Sequence, residues 1–345
     1  MKYYRLKKGR LDELIDALNK KYKVIGPKAK ENLFVYGEIE NAKELSLLHK
    51  PTILSLKKYF LPQQEDLLNF KVGDVSGKIV EIEQGKPLLV LGAHTCDLAG
   101  LLCLDNACND SSKDANYLKR KTGAVIIGIE CSKPCDEHAT CVTMGTHNPK
   151  GGYDIMLTES GDGYIVETAS EDGEKLVNET KSAFEDSDKS AAETETTKLR
   201  TEKNSWPKKI FPEAKKLEAL FDKTLKSAEW GKLGERCVSC GNCTNVCPTC
   251  YCYDVKDEVD LKLKDGVRYR IWDSCQLKEF AEVAGNENFR DKRKQRQQHR
   301  FLRKFSFPVK KYNRFFCTGC GRCTRACMAK INLYETINAL AKETI

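Results

Sequence analysis

A chain of 345 residues with a formal net charge of +8 and seventeen cysteines is long enough for two domains and a sizeable core. It has no run of about 18 apolar residues, which excludes a helix spanning a membrane. Its cysteines are too many for an ordinary intracellular enzyme, while its length and leader-free start do not fit a short oxidised secreted scaffold. Thiolate–metal chemistry in a reducing, anaerobic cytoplasm is expected instead.

Near the start, Leu11, Leu14, Ile15 and Leu18 share one helical face and predict a folded helix, not a signal peptide. The apolar runs at 86–94, 123–131, 153–160 and 163–170 read as strands, with 33–40 as another. GDG at 161–163 reads as a turn between two of them. The glycines within 75–86 are isolated and no Walker A or Rossmann fingerprint occurs, so no flavin or nicotinamide site is expected in this chain. Residues 171–205 are polar and poor in aliphatics, as a surface helix or a loose linker would be. The boundary is placed there, giving a mixed α/β domain over 1–205 and a second domain over 206–345. After Pro212, the residues Leu217, Leu220, Phe221, Leu225 and Ala228 recur on one face of a predicted helix that leads into a cysteine run.

That run is Cys237, Cys240, Cys243 and Cys247, spaced C-x-x-C-x-x-C-x-x-x-C and followed by Pro248. Cys317, Cys320, Cys323 and Cys327 repeat the spacing, with Met328 in the proline's place. Three thiolates three residues apart on a tight loop can wrap one corner of an iron–sulfur cubane, and the fourth points away to ligate the other cluster. Two [4Fe–4S] clusters are therefore expected, one on Cys237, Cys240, Cys243 and Cys327, the other on Cys317, Cys320, Cys323 and Cys247. Gly241 and Gly321 would let the loops approach sulfide and offer N–H donors to it. Zinc is the alternative, but it usually takes two separated C-x-x-C pairs. The intervening stretches 274–285 and 286–305 look helical, as does a segment carrying Ile331, Tyr334, Ile337 and Leu340. The fold expected is thus α+β, the second domain being an α-helical, ferredoxin-like dicluster unit with an insertion.

The residues become more specific. CVSCGNCTNVCPTCYCYDVKD (237–257), RIWDSCQLKEFAEVAGNENFR (270–290), KQRQQHRFLRKF (294–305) and CTGCGRCTRAC (317–327) resemble the β subunits of sulfhydrogenases and the dicluster iron–sulfur subunits of anaerobic sulfite reductases. CDLAGLLCLDNAC (96–108), ECSKPCDEHATCVTMGTHNP (130–149) and YDIMLTESGDGYIVET (153–168) extend the likeness upstream. The resemblance implies an electron relay. It would connect a flavoprotein subunit that reacts with a nicotinamide cofactor to a catalytic partner such as a nickel–iron hydrogenase, a sirohaem reductase or another redox module. One departure is local: relatives often show a C-F-C triplet, and this chain has Ala139-Thr140-Cys141, with Cys135 extra.

Cys96 and Cys131 follow two predicted strands that, if adjacent and parallel, would bring them together. With Cys135 and Cys141 they would form a third cluster; buried small thiols or a local redox pair are the alternatives. Cys103 and Cys108 read as core or surface thiols. Cys250, Cys252 and Cys275 read as structural thiols beside a cluster, or as ligands of a further metal. His94, His138 and His147 lie near the N-terminal cysteines and read as structural histidines.

The positive charge is concentrated. Residues 290–314 hold eleven Lys/Arg and one Asp, interleaved with Phe301, Phe305, Phe307 and Tyr312. Nucleic acid would suit this pattern, but the segment runs straight into a cluster motif whose cubane is anionic. Cluster support, or docking of an acidic partner, is the better expectation. Beside the relay, a catalytic alternative remains, in which the N-terminal cluster binds a sulfur species directly.

Overall fold

The computed structural model describes residues 2–48, 50–74, 77–82 and 85–343. Within the glycine-bearing stretch 75–86, positions 75–76 and 83–84 lie outside the described residues. The strands in chain order begin with β1 (Tyr3–Lys7), β2 (Lys23–Lys30), β3 (Leu33–Glu38), β4 (Gln64–Lys71) and β5 (Gly77–Ile79). Then come β6 (Leu88–His94), β7 (Val125–Ile129), β8 (Ile155–Ser160), β9 (Gly163–Thr168), β10 (Glu185–Asp186), β11 (Tyr253–Val259) and β12 (Asp265–Trp272). Eight of them form one sheet in the order β10-β1-β9-β8-β7-β6-β2-β3. Its centre, β2, β6, β7 and β8, is parallel, and the flanking strands are antiparallel.

Parallel strands covered on both faces are apolar throughout, and the run LLVLGAH of β6 is of this kind. Leu89 and Leu91 meet Leu14, Ile15 and Leu18 of the helix Leu11–Lys21 on one face. Val90 and Ala93 meet Leu98, Leu101 and Leu104 of the helix Thr95–Cys108 on the other. The expected adjacency of the two strands preceding Cys96 and Cys131 holds, since β6 and β7 pair in parallel. Both cysteines therefore stand at the carboxyl ends of neighbouring strands, where open α/β sheets place their ligands.

Residues 171–205 are the folded alternative, not a loose linker. They form the helices Glu171–Glu179 and Lys189–Glu202 and the short edge strand β10. Polar groups tie this segment down: Lys203, fully buried, pairs with Glu130, and Arg200 bridges Glu130 and Glu167. Glu130 directly precedes Cys131, so the segment braces the cysteine loop.

Three expectations differ from the structure. The helix after Pro212 is two helices, Ala214–Lys223 and Glu229–Arg236. Leu217, Leu220 and Phe221 are buried, whereas Leu225 falls in the break and is about half exposed. Residues 274–285 are not helical: after a single 3-10 turn they enter a small hairpin, Glu282–Val283 with Glu287–Asn288. Its turn needs positive φ at Gly285 and Asn286, and Gly and Asn are the residues that tolerate this. The segment between the cysteine runs is also not purely helical. β11 and β12 form a hairpin, and β12 pairs with β4, giving the sheet β11-β12-β4-β5. A strand pairing thus crosses the expected boundary near residue 205, reinforced by Arg270, which binds Glu65 and Asp114. The helix Leu333–Lys342 forms where the pattern indicates, whereas of 286–305 only Arg293–Phe305 is helical, the start being taken up by the hairpin strand Glu287–Asn288.

Candidate metal centres

Each C-terminal run folds into the same local shape. A left-handed glycine, Gly241 (φ +76°) or Gly321 (φ +73°), precedes a single helical turn carrying the third cysteine, and the fourth follows that turn. The glycines do more steric work than expected. A Cβ on Gly321 would lie 2.8 Å from the His138 backbone, and one on Gly319 would lie 2.4 Å from the Cys141 nitrogen. Only a bare backbone lets the second run seat against the loop 138–141, where the Thr140 N–H donates to the Gly319 carbonyl at 2.8 Å.

Cys237, Cys240, Cys243 and Cys327 line one cavity together, with Gln297, Arg300 and Ile331 also in its wall. The fourth cysteine of the second run is thus placed among the first three of the first run. Donors are aimed at the sulfurs: Gln297 Nε2 at Cys237 Sγ (2.9 Å), the Ser239 N–H at Cys237 Sγ (3.4 Å) and the Ile331 N–H at Cys327 Sγ (3.3 Å). N–H···S bonds of this kind raise the potential of a thiolate-bound cluster. Cys247 lies in the complementary place, its charge felt by both Cys317 and Cys323. Burial pushes the Cys243 thiol up to about 12, and the Cys323 sulfur adds to the effect. Cys243 and Cys323 line the same cavity, and the two groups of sulfurs adjoin there. Thiols held this high stay protonated until a metal displaces their protons.

The basic segment explains itself here. Arg296, Arg300 and Lys304 are spaced four apart on the helix Arg293–Phe305 and turn inward, each about 95 % buried. Arg296 is held by the carbonyls of Arg290 and Asp291 and by the Ser239 hydroxyl. Lys304 donates to Thr249 Oγ1 at 2.6 Å. Burial opposes the charge of Arg300 and Lys304, but sulfurs outweigh it, those of Cys243 and Cys323 for Arg300 and of Cys247 and Cys250 for Lys304. Lys57 joins them from the N-terminal half, buried, with its ammonium 3.9 Å over the Trp272 ring. Buried cations are costly unless balanced by negative charge. The sulfurs beside them supply that charge once metal-bound, so the residues present suit anionic clusters.

The N-terminal cysteines are brought together as well. His94 ends β6, Cys96 sits in the first turn of the helix Thr95–Cys108, and Cys131 and Cys135 lie beyond β7. Cys141 opens the short helix Cys141–Met144. Ligand atoms of His94, Cys131 and Cys135 all lie within 4.8 Å of one another, the one such three-residue group among the described residues. Burial holds the Cys96 thiol well above its usual range, with Asp97 and the Cys320 and Cys135 sulfurs adding to this. Burial likewise pushes Cys141 up to about 12, helped by Cys135 and Cys320. Cys131 and Cys135 are thus grouped with His94, while Cys96 and Cys141 lie outside that compact group and feel the charge of Cys135 and Cys320. His94 is the residue that sequence reasoning undervalued; its position at the carboxyl end of a buried strand was the available signal. His138 and His147 stand apart from this trio, His147 facing Asn204 at 2.9 Å. Beneath the group, Arg322 from the second run is buried and pairs with Asp97 at 2.8 Å, while Thr52 accepts two further bonds. Cys103 and Cys108 are core thiols, both under a tenth exposed.

Comparison with known proteins agrees with this geometry. The family model of the 4Fe-4S dicluster domain matches residues 236–331. Sulfhydrogenase 2 subunit beta of Pyrococcus furiosus is 32% identical over 346 residues, covering 100% of both chains. No helix among the described residues is long and apolar enough to cross a membrane. The likeness runs through the cysteine loops and the sheet that supports them alike, and it places this iron–sulfur chain in the sulfhydrogenase β-subunit family.

Proposed function

We propose that the chain is the electron-relay subunit of a cytoplasmic, multi-subunit oxidoreductase. Its partners are a flavoprotein that oxidises a nicotinamide and a catalytic redox subunit such as a hydrogenase or a sulfite or sulfur reductase. The unit over 206–345 holds two [4Fe–4S] clusters in a ferredoxin-like arrangement. Cys237, Cys240, Cys243 and Cys327 ligate the first, and Cys317, Cys320, Cys323 and Cys247 the second. The unit over 1–205 holds a third cluster on Cys96, Cys131, Cys135 and Cys141. The observation that carries this reading is the order of the cysteine loops: Cys243 and Cys323 line one cavity, and the loop of Cys320 seats against residues 138–141, beside Cys141. Three centres in a row, each next to the following one, are what single-electron hopping requires. Bound clusters supply the redox chemistry. The chain's own residues hold the sulfurs, exclude water around Arg300 and Lys304, and aim N–H donors that set potentials.

A second reading has a specific observation behind it. A pocket open to solvent is floored by His94, Cys131 and Cys135 and rimmed by Lys50 and Lys133. A sulfur anion could reach the N-terminal centre there and be reduced in place. Isolation of the native complex without oxygen tests the first reading: a flavin-bearing chain and a further redox chain should co-purify. A chain isolated alone that turns over a sulfur substrate would favour the second.

A further inference from the structure

Neither ferredoxin run needs Cys250, Cys252 or Cys275. Cys252 lies just before β11 and Cys275 just after β12, at the open end of one hairpin, where the Asp273 N–H donates to the Cys252 carbonyl at 3.0 Å. In this register Cys252 lies opposite Asp273, which leaves Cys275 two residues further along, and the Cys275 thiol hydrogen-bonds the Cys252 sulfur. Cys250 is engaged elsewhere, its thiol bonding to Cys247. Two sulfurs in contact at the end of one hairpin have the arrangement of a redox pair.

The pair also touches the relay. Gln276 donates from Nε2 to Cys275 Sγ at 3.4 Å and to the Arg296 carbonyl at 2.9 Å, and its side chain lines the cavity of Cys237, Cys240 and Cys243. Cys243 in turn feels the Cys275 sulfur. We propose that Cys252 and Cys275 form a dithiol–disulfide couple that exchanges two electrons with the adjacent first cluster. In the reducing direction, the cluster passes on two electrons in succession. The S–S bond breaks, each sulfur takes up one proton from solvent, and the cluster returns to its oxidised state after each transfer. The couple would let a chain of one-electron carriers hold an electron pair. Cys252 is partly exposed and Cys275 buried, so the couple also has a solvent-facing sulfur for exchange with an external thiol or disulfide. The inference rests on the relay reading for its electron source.

The test uses the full chain with its clusters, poised anaerobically over a range of potentials, then acid-quenched, unfolded, alkylated and read by mass spectrometry. Cys252 and Cys275 should pass together from a linked peptide to two alkylated thiols. The slope should be about 30 mV per tenfold change in ratio, the two-electron value, against about 59 mV for a one-electron centre. C252S and C275S should keep wild-type iron content and lose two electrons of uptake in a reductive titration. Both cysteines staying alkylatable at oxidising potentials that leave the clusters intact would overturn the proposal. So would loss of iron in either variant, which would make these residues ligands. Failure of the relay reading is seen separately, as wild-type protein without cluster absorbance.

Discussion

The two cysteine-rich regions of this molecule are built by opposite means. In the C-terminal region each cysteine run is written into about a dozen consecutive residues, and the fold only has to bring two such loops face to face. In the N-terminal region, Cys96, the loop of Cys131 and Cys135, and Cys141 come from separate stretches of chain, and the parallel pairing of β6 with β7 brings the first two together. The first kind of site depends on local turns and positive-φ glycines, the second on long-range topology. They meet where Gly319 and Gly321 seat against residues 138–141 and where Arg322 pairs with Asp97.

The largest effect is expected at the exchange of fourth ligands. Cys327→Ser should remove or convert the cluster held by Cys237, Cys240 and Cys243, a loss of about one to four irons per chain, and leave the other spectroscopically intact. Iron and sulfide analysis with electron paramagnetic resonance checks this. Loss of the signal assigned to Cys317, Cys320 and Cys323 instead would mean that each run closes on itself.

Next is the joint between the regions. Arg322→Ala leaves the buried Asp97 without its cation, and should cost about 3–5 kcal/mol in a denaturant titration. An effect below about 1 kcal/mol would mean that the two regions do not depend on this pair. Gly321→Ala should cost about 1–2 kcal/mol from its positive φ alone, and more through its clash with His138. Equal destabilisation by Gly231→Ala, where a Cβ meets open space, would deny Gly321 that role.

The smallest expected effect is electrostatic. Lys304→Met removes a buried cation beside Cys247 and Cys317, which disfavours adding an electron. The potential of the second cluster should fall by roughly tens of millivolts, the Coulomb scale at an effective dielectric near 20. A potentiometric titration measures it; an unchanged value would mean that water, not the helix Arg293–Phe305, balances the cluster.

How much could be read in advance follows the same division. The C-terminal ligands were legible because cysteine spacing is local. The buried strands β6 to β9 were legible because their apolar runs are continuous. β11 was not: every residue of YDVKDEV is exposed, so no face of it carries a burial signal. Its partner β12 finds β4 almost two hundred residues away, and that pairing carries no local mark. The helix expected over 274–285 failed because Gly285 and Asn286 favour a turn that apolar spacing does not register. His94 was hidden for a related reason, since a histidine at the end of a strand acquires neighbours only once β7 and its loop are in place. The inward turn of Arg300 and Lys304 was partly visible in the basic run's position beside a cluster motif, but their burial emerged only from packing.

The central claim is that two cubanes sit side by side, each held by three sulfurs from one run and one from the other. Electron paramagnetic resonance of the fully reduced chain, prepared without oxygen, tests it most directly. Closely spaced [4Fe–4S] centres should give a spectrum split by magnetic coupling, and Cys327→Ser should remove the part of that splitting that the first centre contributes. A single uncoupled signal from wild-type protein, or a silent sample whose bound metal is zinc, would contradict it.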